Sequence, residues 1–209
     1  MLIKGFLDAL QPEPILSVSQ WADQNRLLDS KSSAMPGKYR TSITPFLKEI
    51  MDHLGEYSPV EEVIVMKGAQ LGVTEAGLNW IGYTIDVSPC PMLFVEPTKE
   101  VVELVSKTRI QPMLESSPSL AHKVKPPKSR DSGNTLTKKE FPGGVLRLAG
   151  ANSAAGLRNM PVKRLMLDEV DAYPVDLDTE GNPIDLAKKR TSTFAKRKIF
   201  ILSTPVTKD

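Results

Sequence analysis

Four short apolar runs constrain the fold of this 209-residue chain more than any other feature. They occupy residues 63–66, 92–95, 165–167 and 199–202, and each has the length of one strand and is apolar on both faces. Such runs are typical of a parallel sheet with helices on both faces, because only covered strands bury both of their faces. A fifth run, residues 145–148, alternates in polarity and is predicted to be a flanking strand.

Helical patterns follow the first two runs. Apolar residues recur at helical spacing within residues 74–86, and a second apolar pattern covers residues 99–114. Alternation of strands and helices predicts an α/β fold with a mostly parallel sheet, whose ligand site lies at the carboxyl ends of the strands. Residues 1–60, interrupted by prolines, are predicted to form an N-terminal segment wrapped on a core that occupies residues 61–209.

Composition argues against several classes of protein. An apolar content of 40% and a charged content of 25% are ordinary for a globular domain. No apolar run approaches the roughly 20 residues that a membrane-spanning helix needs, so no membrane contact is predicted. The single cysteine, Cys90, excludes an internal disulfide and favours a reducing cytoplasm, and the two histidines are too few for a zinc site. A net charge of +2 does not by itself indicate nucleic-acid binding.

The segment between the first run and the first helix is a candidate phosphate-binding loop. Backbone N–H groups of such a loop and the N-terminus of the next helix attract phosphate, and a glycine lets the backbone approach closely. The segment departs from the pattern GxxxxGKS/T, because Val73 stands where the lysine belongs and Lys67 stands at the first-glycine position. A turn that simply follows a strand-ending lysine remains an alternative. The loop comprises Lys67, Gly68, Ala69, Gln70, Leu71, Gly72, Val73 and Thr74.

Two other runs end in residues that suit phosphate chemistry. Asp168 and Glu169 follow the third run, where Asp168, together with Thr74, is predicted to hold Mg²⁺, and Glu169 to deprotonate an attacking water. Ser203 and Thr204 follow the fourth run and could hydrogen-bond the terminal phosphate or that water. Alone, the first pair could be a helix N-cap and the second could begin a turn. Three strand ends of this kind together favour nucleotide hydrolysis.

Two further strand-end or loop features are ambiguous. Arg158 lies in a Gly/Ala-rich loop before the carboxylate strand and could stabilise phosphoryl charge, within the chain or across a subunit interface. An exposed loop arginine is the alternative. The strand end from Glu96 to Thr98 could contact a nucleic-acid backbone or could be a capped turn.

Over residues 20–209 the chain resembles the large terminase subunits of tailed phages, in the lambda-like group. The most specific feature is the lysine at the front of the loop, because that family also places its lysine there. The shared motifs are Trp21-Ala22-Asp23, Gly37-Lys38-Tyr39, Thr44-Pro45-Phe46, the loop, Gly133-Asn134-Thr135-Leu136-Thr137, Leu167-Asp168-Glu169 and Ser203-Thr204-Pro205.

The resemblance implies a P-loop ATPase that uses ATP and Mg²⁺ to drive double-stranded DNA into a procapsid, in the cytoplasm of the infected bacterial host. It implies the terminase small subunit and the procapsid portal as partners, and a ring of copies when assembled but a monomer when isolated. It makes Lys67 and Glu169 catalytic, Ser203 and Thr204 a coupling motif, and Tyr39 or Met35 a candidate adenine contact. Several relatives carry an arginine where this chain has Ala69, which gives weight to Arg158 as the catalytic arginine.

Two other functions are weighed against this one. A helicase-like ATPase would use the same strand ends but needs a second motor-like domain. A degenerate P-loop fold that only binds nucleic acid would explain Val73, although the intact pair Asp168 and Glu169 argues against it. The C-terminal nuclease domain of the family is expected to be absent from this chain, which would make residues 1–209 an isolated motor domain.

Overall fold

The computed structural model of the protein describes residues 15–30, 33–126, 133–177 and 180–205. Parts of the predicted N-terminal segment and of the predicted core, at residues 1–14 and 206–209, lie outside the described residues. The strands are β1 (Leu27–Leu28), β2 (Gly37–Lys38), β3 (Glu62–Met66), β4 (Met92–Glu96), β5 (Lys138–Phe141), β6 (Gly144–Gly150), β7 (Arg164–Asp168) and β8 (Lys198–Ser203).

The predicted helical patterns correspond to helices in the structure, and the second of them is interrupted by a wide π-helical turn, Ser106–Ile110. The 3₁₀ turns are Thr41–Ile43 and Val170–Ala172. The α-helices are α1 (Val18–Asn25), α2 (Leu47–His53), α3 (Val73–Asp86), α4 (Lys99–Val105), α5 (Gln111–Ser116), α6 (Pro118–Ala121), α7 (Ala154–Arg158) and α8 (Pro183–Lys189). Among the described residues, no helix combines the length and the apolar character that crossing a membrane requires.

Six strands form the central sheet in the order β3-β8-β7-β4-β6-β5. All neighbouring pairs are parallel except β5, which pairs antiparallel with β6 at one edge. Successive side chains of a strand point to opposite faces, so each inner strand supplies two hydrophobic cores. Phe94, Met166 and Phe200 pack on the face covered by α1, α2 and α3, whereas Leu165 and Leu167 pack on the opposite face with α7 and α8. The predicted mostly parallel sheet with helices on both faces is confirmed.

Strand β3 departs from the prediction that the first run is buried on both faces. It lies at the edge of the sheet, where only β8 pairs with it among the described strands. Val63 and Val65 pack against the core, but Ile64 is 68% and Met66 82% exposed. That prediction was wrong because an apolar run does not reveal whether its strand is central or at an edge. The outer face of β3 at Ile64 and Met66 is therefore open to solvent.

Helix α3 is the central helix of one face, and two of its glycines allow close packing. A Cβ added at Gly82 would lie 2.1 Å from a ring carbon of Trp21, and one added at Gly77 would lie 2.1 Å from Cε of Met166. The Trp21 indole is also fixed by its Nε1, which donates to Asp86 at 2.7 Å. Helix α1 therefore packs closely against the last turns of α3, at Gly82.

Gly82→Ala should lower the free energy of unfolding by about 1–3 kcal/mol, because the fixed indole ring cannot move away from the new methyl group. Gly77→Ala is the matched control in the same helix and should cost less, since the flexible Met166 thioether can adopt another rotamer. Urea denaturation of both variants measures the difference. Equal stabilities, or a more stable Gly82→Ala protein, would contradict this packing.

Candidate active site

The predicted residues at three strand ends meet at one edge of the sheet. Strand β8 lies between β3 and β7, so Lys67 follows one neighbour and Asp168 ends the other. The backbone N–H of Lys67 donates to the Ser203 carbonyl oxygen at 2.9 Å, which extends the pairing of β3 and β8 by one residue. The carboxyl ends of parallel strands are the usual ligand sites of such sheets.

Lys67, Glu169 and Thr204 form a closed hydrogen-bonded cluster. The Lys67 ammonium, whose side chain is 7% exposed, donates to Oε1 of Glu169 and, at 3.0 Å, to Oγ1 of Thr204. Oε2 of Glu169 accepts from the Thr204 backbone N–H at 3.0 Å. The structure thus brings together one residue from each of the three predicted strand ends.

The loop after Lys67 turns back sharply before α3 begins at Val73. Gln70 and Gly72 adopt left-handed conformations, with φ of 59° and 81°. Gly72 is the N-cap residue of α3, and a non-glycine residue would be strained there. Four exposed residues, 68–71, therefore curve over the N-terminus of α3, as a phosphate-binding loop requires.

Glu169 also adopts a left-handed conformation, with φ of 52°, which side-chain-bearing residues rarely occupy. Its own N–H donates to Oδ1 of Asp168 at 2.9 Å, and the N–H of Asp171 donates to Oγ of Ser203 at 3.0 Å. These bonds hold the turn that directs Glu169 toward Lys67. Backbone strain of this kind is concentrated at functional sites.

Three carboxyl groups near this edge titrate differently. Burial, and then the charges of Asp168 and Glu169, raise the pKa of Glu96 to about 9. Burial raises the pKa of Asp168 to about 6, against the opposing effects of a hydrogen bond from Thr74 and the Lys67 charge. Burial also acts to raise the pKa of Glu169, but its hydrogen bonds with Lys67 and Thr204 lower the pKa below its ordinary value. Near neutral pH, Glu169 and Asp168 are therefore mainly ionised, whereas Glu96 is protonated.

Glu96 belongs to this group of carboxyls, although its sequence suggested only a nucleic-acid contact or a capped turn. It is 3% exposed at the end of β4, which pairs with β7 and so lies beside Asp168. Thr98 caps helix α4 by accepting from the Val101 N–H, as the capped-turn interpretation predicts. No sequence signal indicated that β4 and β7 are neighbours.

A cleft of about 570 Å³ opens beside the loop. Lys67, Thr74 and the loop form one side, and Met35 and Tyr39, the candidate adenine contacts, line it as well. Arg109 also lines the cleft and was not predicted. A mixed apolar and cationic cleft of this size suits a nucleotide.

Arg158 is not among the residues that line this cleft. It ends helix α7 and forms an ion pair with Glu180, with 44% of its side chain exposed. The structure thus does not bring Arg158 together with the loop of its own chain. The position of a loop arginine in space could not be read from its neighbours in sequence.

The donors beside the loop fit Mg²⁺. The Thr74 hydroxyl lies near the Asp168 carboxylate, since it acts to lower the pKa of Asp168, and the two side chains offer hard oxygen donors at the start of α3. Mg²⁺ in nucleotide sites uses one or two protein oxygens and keeps several waters, so a larger set of protein ligands is not required.

Comparison with known proteins shows which family and which fold the chain resembles. The family model for the phage terminase large subunit gpA, ATPase domain, matches residues 33–209. The terminase large subunit of Escherichia phage lambda is 31% identical and that of Enterobacteria phage P21 is 29% identical, each over 96% of this chain and 31% of the relative's length. The HK97 bacteriophage large terminase has a similar fold, with a TM-score of 0.68 and 14% identity over 90% of this chain and 37% of that one.

Glu96→Gln should stabilise the protein at alkaline pH. Because the folded-state pKa of Glu96 is raised from 4.5 to about 9, the folded state binds more protons than the unfolded state between these values. Its contribution to the free energy of unfolding therefore falls as the pH rises through this range. The neutral amide removes that penalty, so at pH 8 the variant should gain about 1–3 kcal/mol, with little gain near pH 4.5.

The control is Glu100→Gln, at the exposed start of α4, which should change the pH dependence little. Urea denaturation from pH 5 to pH 9 measures the free energy of unfolding of the wild type and both variants. A Glu96→Gln variant with the wild-type pH dependence would show that Glu96 is ionised at no cost.

Proposed function

The chain belongs to the ATPase-domain family of the phage terminase large subunit gpA, and from this we propose that it hydrolyses ATP to drive double-stranded DNA into a procapsid. The chain spans about 31% of the length of the curated lambda and P21 relatives. DNA translocation is an activity of the whole terminase, to which this domain would supply the chemical step.

The observation that carries the proposal is the contact of Lys67 with both Glu169 and Thr204 beside the curved loop. A lysine, a glutamate and a hydroxyl from three neighbouring strand ends provide a phosphate ligand, a base and a hydrogen-bonding group. The convergence of these side chains favours a shared site over three independent turns.

Binding would begin at the loop. Backbone N–H groups of residues 68–74 and the dipole of α3 would hold the phosphates, and the Lys67 ammonium would contact them. Thr74 and Asp168 would hold Mg²⁺, which neutralises phosphate charge during phosphoryl transfer. Tyr39 and Met35 would contact the adenine from the apolar part of the cleft.

Phosphate in the loop would compete with Glu169 for the Lys67 ammonium. Release from Lys67 would leave the Glu169 carboxylate able to accept a proton from water. The water oxygen would then form its bond to the terminal phosphorus as the bond to the bridging oxygen breaks, giving ADP and phosphate. The Thr204 N–H, which donates to Glu169 at 3.0 Å, would connect this exchange to the end of β8. This link would be the physical basis for Ser203 and Thr204 as the coupling motif.

The assembly belongs to the same proposal. Copies of the chain would form a ring that works with the terminase small subunit and the procapsid portal in the host cytoplasm. Arg158, exposed on α7, would then reach the site of a neighbouring copy and not that of its own chain.

Glu169→Gln should bind ATP in the presence of Mg²⁺ while its turnover falls by about 10²–10⁴-fold, because the amide keeps the shape but cannot accept the proton. Lys67→Ala should instead weaken ATP binding by about 1.5–3 kcal/mol, since it removes a charge-assisted phosphate contact. Phosphate release with duplex DNA present measures turnover, and a fluorescent ATP analogue measures binding.

Lys196→Ala, an exposed lysine before β8, is the control and should match the wild type in both measurements. Wild-type turnover by the Glu169→Gln protein would exclude Glu169 as the base. Wild-type ATP affinity in the Lys67→Ala protein would contradict the assignment of residues 67–74 as the phosphate-binding loop.

A further inference from the structure

Arg109 reaches the nucleotide cleft from an element outside the loop and the strand ends. It lies in the π-helical turn Ser106–Ile110, between α4 and α5, and lines the cleft with Lys67 and Thr74. A π turn holds one more residue than an α-helical turn, and such insertions occur frequently at functional sites.

Glu75 fixes this arginine in place. One Glu75 carboxylate oxygen accepts from Arg26 and the other accepts from Arg109, each at 2.6 Å. Arg26 is 3% exposed, and Glu75 lies in the first turn of α3, directly after the loop. The guanidinium of Arg109 is therefore attached to the same helix N-terminus that would hold the phosphates.

The charges of this trio do not cancel. Two arginines share one carboxylate, so the wall of the cleft carries one excess positive charge. The positive charge of Arg109 also acts on the strand ends, because, like the charge of Lys67, it acts to lower the pKa of the buried Glu96. Within the described ranges, Glu75 is the hydrogen-bonding partner of Arg109, which leaves further N–H groups of its guanidinium to face the cleft.

We propose that Arg109 contacts the terminal phosphate of ATP within the same chain, and that Glu75 and Arg26 position it for this contact. The inference rests on the proposed ATPase function. It assigns to Arg109 the cationic role that Ala69 cannot supply from the loop and that Arg158 cannot supply from its own chain. A guanidinium held on one edge by a carboxylate is oriented to bind phosphate oxygens with its other edge.

A contact to the terminal phosphate distinguishes ATP from ADP. Arg109→Ala should weaken binding of a fluorescent ATP analogue by about tenfold or more, while binding of the matching ADP analogue changes less than about threefold. Arg109→Lys should recover part of the preference for ATP, because lysine keeps the positive charge but lacks the planar guanidinium that donates two parallel hydrogen bonds. Glu75→Gln should reduce the preference by less than Arg109→Ala, since it loosens the arginine without removing it.

Lys107→Ala is the matched control, since this exposed lysine lies in the same π-helical turn, and it should leave both affinities unchanged. If Arg109 only braces α3, Arg109→Ala will weaken ATP and ADP equally or change neither, and the inference is overturned. The wild type and Lys67→Ala separate the two proposals. Tight ATP binding that Lys67→Ala weakens supports the ATPase site whatever Arg109 does, whereas a wild type without ATP binding overturns both proposals.

Discussion

The parallel pairing of β8 between β3 and β7 is the constraint on which the site depends. Lys67 meets Glu169 across 102 positions of sequence and Thr204 across 137 positions, and both contacts require that these three strands end at the same edge. The two hydrophobic cores keep that order, because the inner strands bury side chains on both faces. Close packing at Gly77 and Gly82 fixes α3 in position. Because the loop leads directly into α3, the same helix contributes to the core and to the site.

The charged groups at this edge surround the ion pair between Lys67 and Glu169, in which a phosphate could replace Glu169. Glu96 and Asp168 are buried carboxyl groups with raised pKa values, whereas Glu169 is kept ionised by Lys67 and the Thr204 N–H. Mg²⁺ would favour the ionised form of Asp168 on binding, and a phosphate would replace Glu169 as the partner of Lys67. Arg109, held by Glu75 on another wall, would meet the same anion from a different direction.

Local patterns in the sequence predicted what each strand end carries, but not which strands are neighbours. Lys67, Asp168, Glu169, Ser203 and Thr204 each follow an apolar run, and the structure places them together. The edge position of β3, and with it the exposure of Ile64 and Met66, depends on the strand order. The roles of Glu96 and Arg109 could not be predicted for the same reason, since they arise from contacts with β7 and with Glu75, which is 34 positions from Arg109. The resemblance to the terminases predicts that Lys67 is the displaced lysine of the loop, which spacing alone left ambiguous.

A crystal structure of the chain with a non-hydrolysable ATP analogue and Mg²⁺ would show directly whether a phosphate replaces Glu169 as the partner of Lys67. We expect the Lys67 ammonium to leave Glu169 for the phosphates, Glu169 to face a water beside the terminal phosphate, and the loop to wrap the phosphate chain. An analogue bound at the loop with Lys67 still paired to Glu169, or bound outside this cleft, would contradict this expectation.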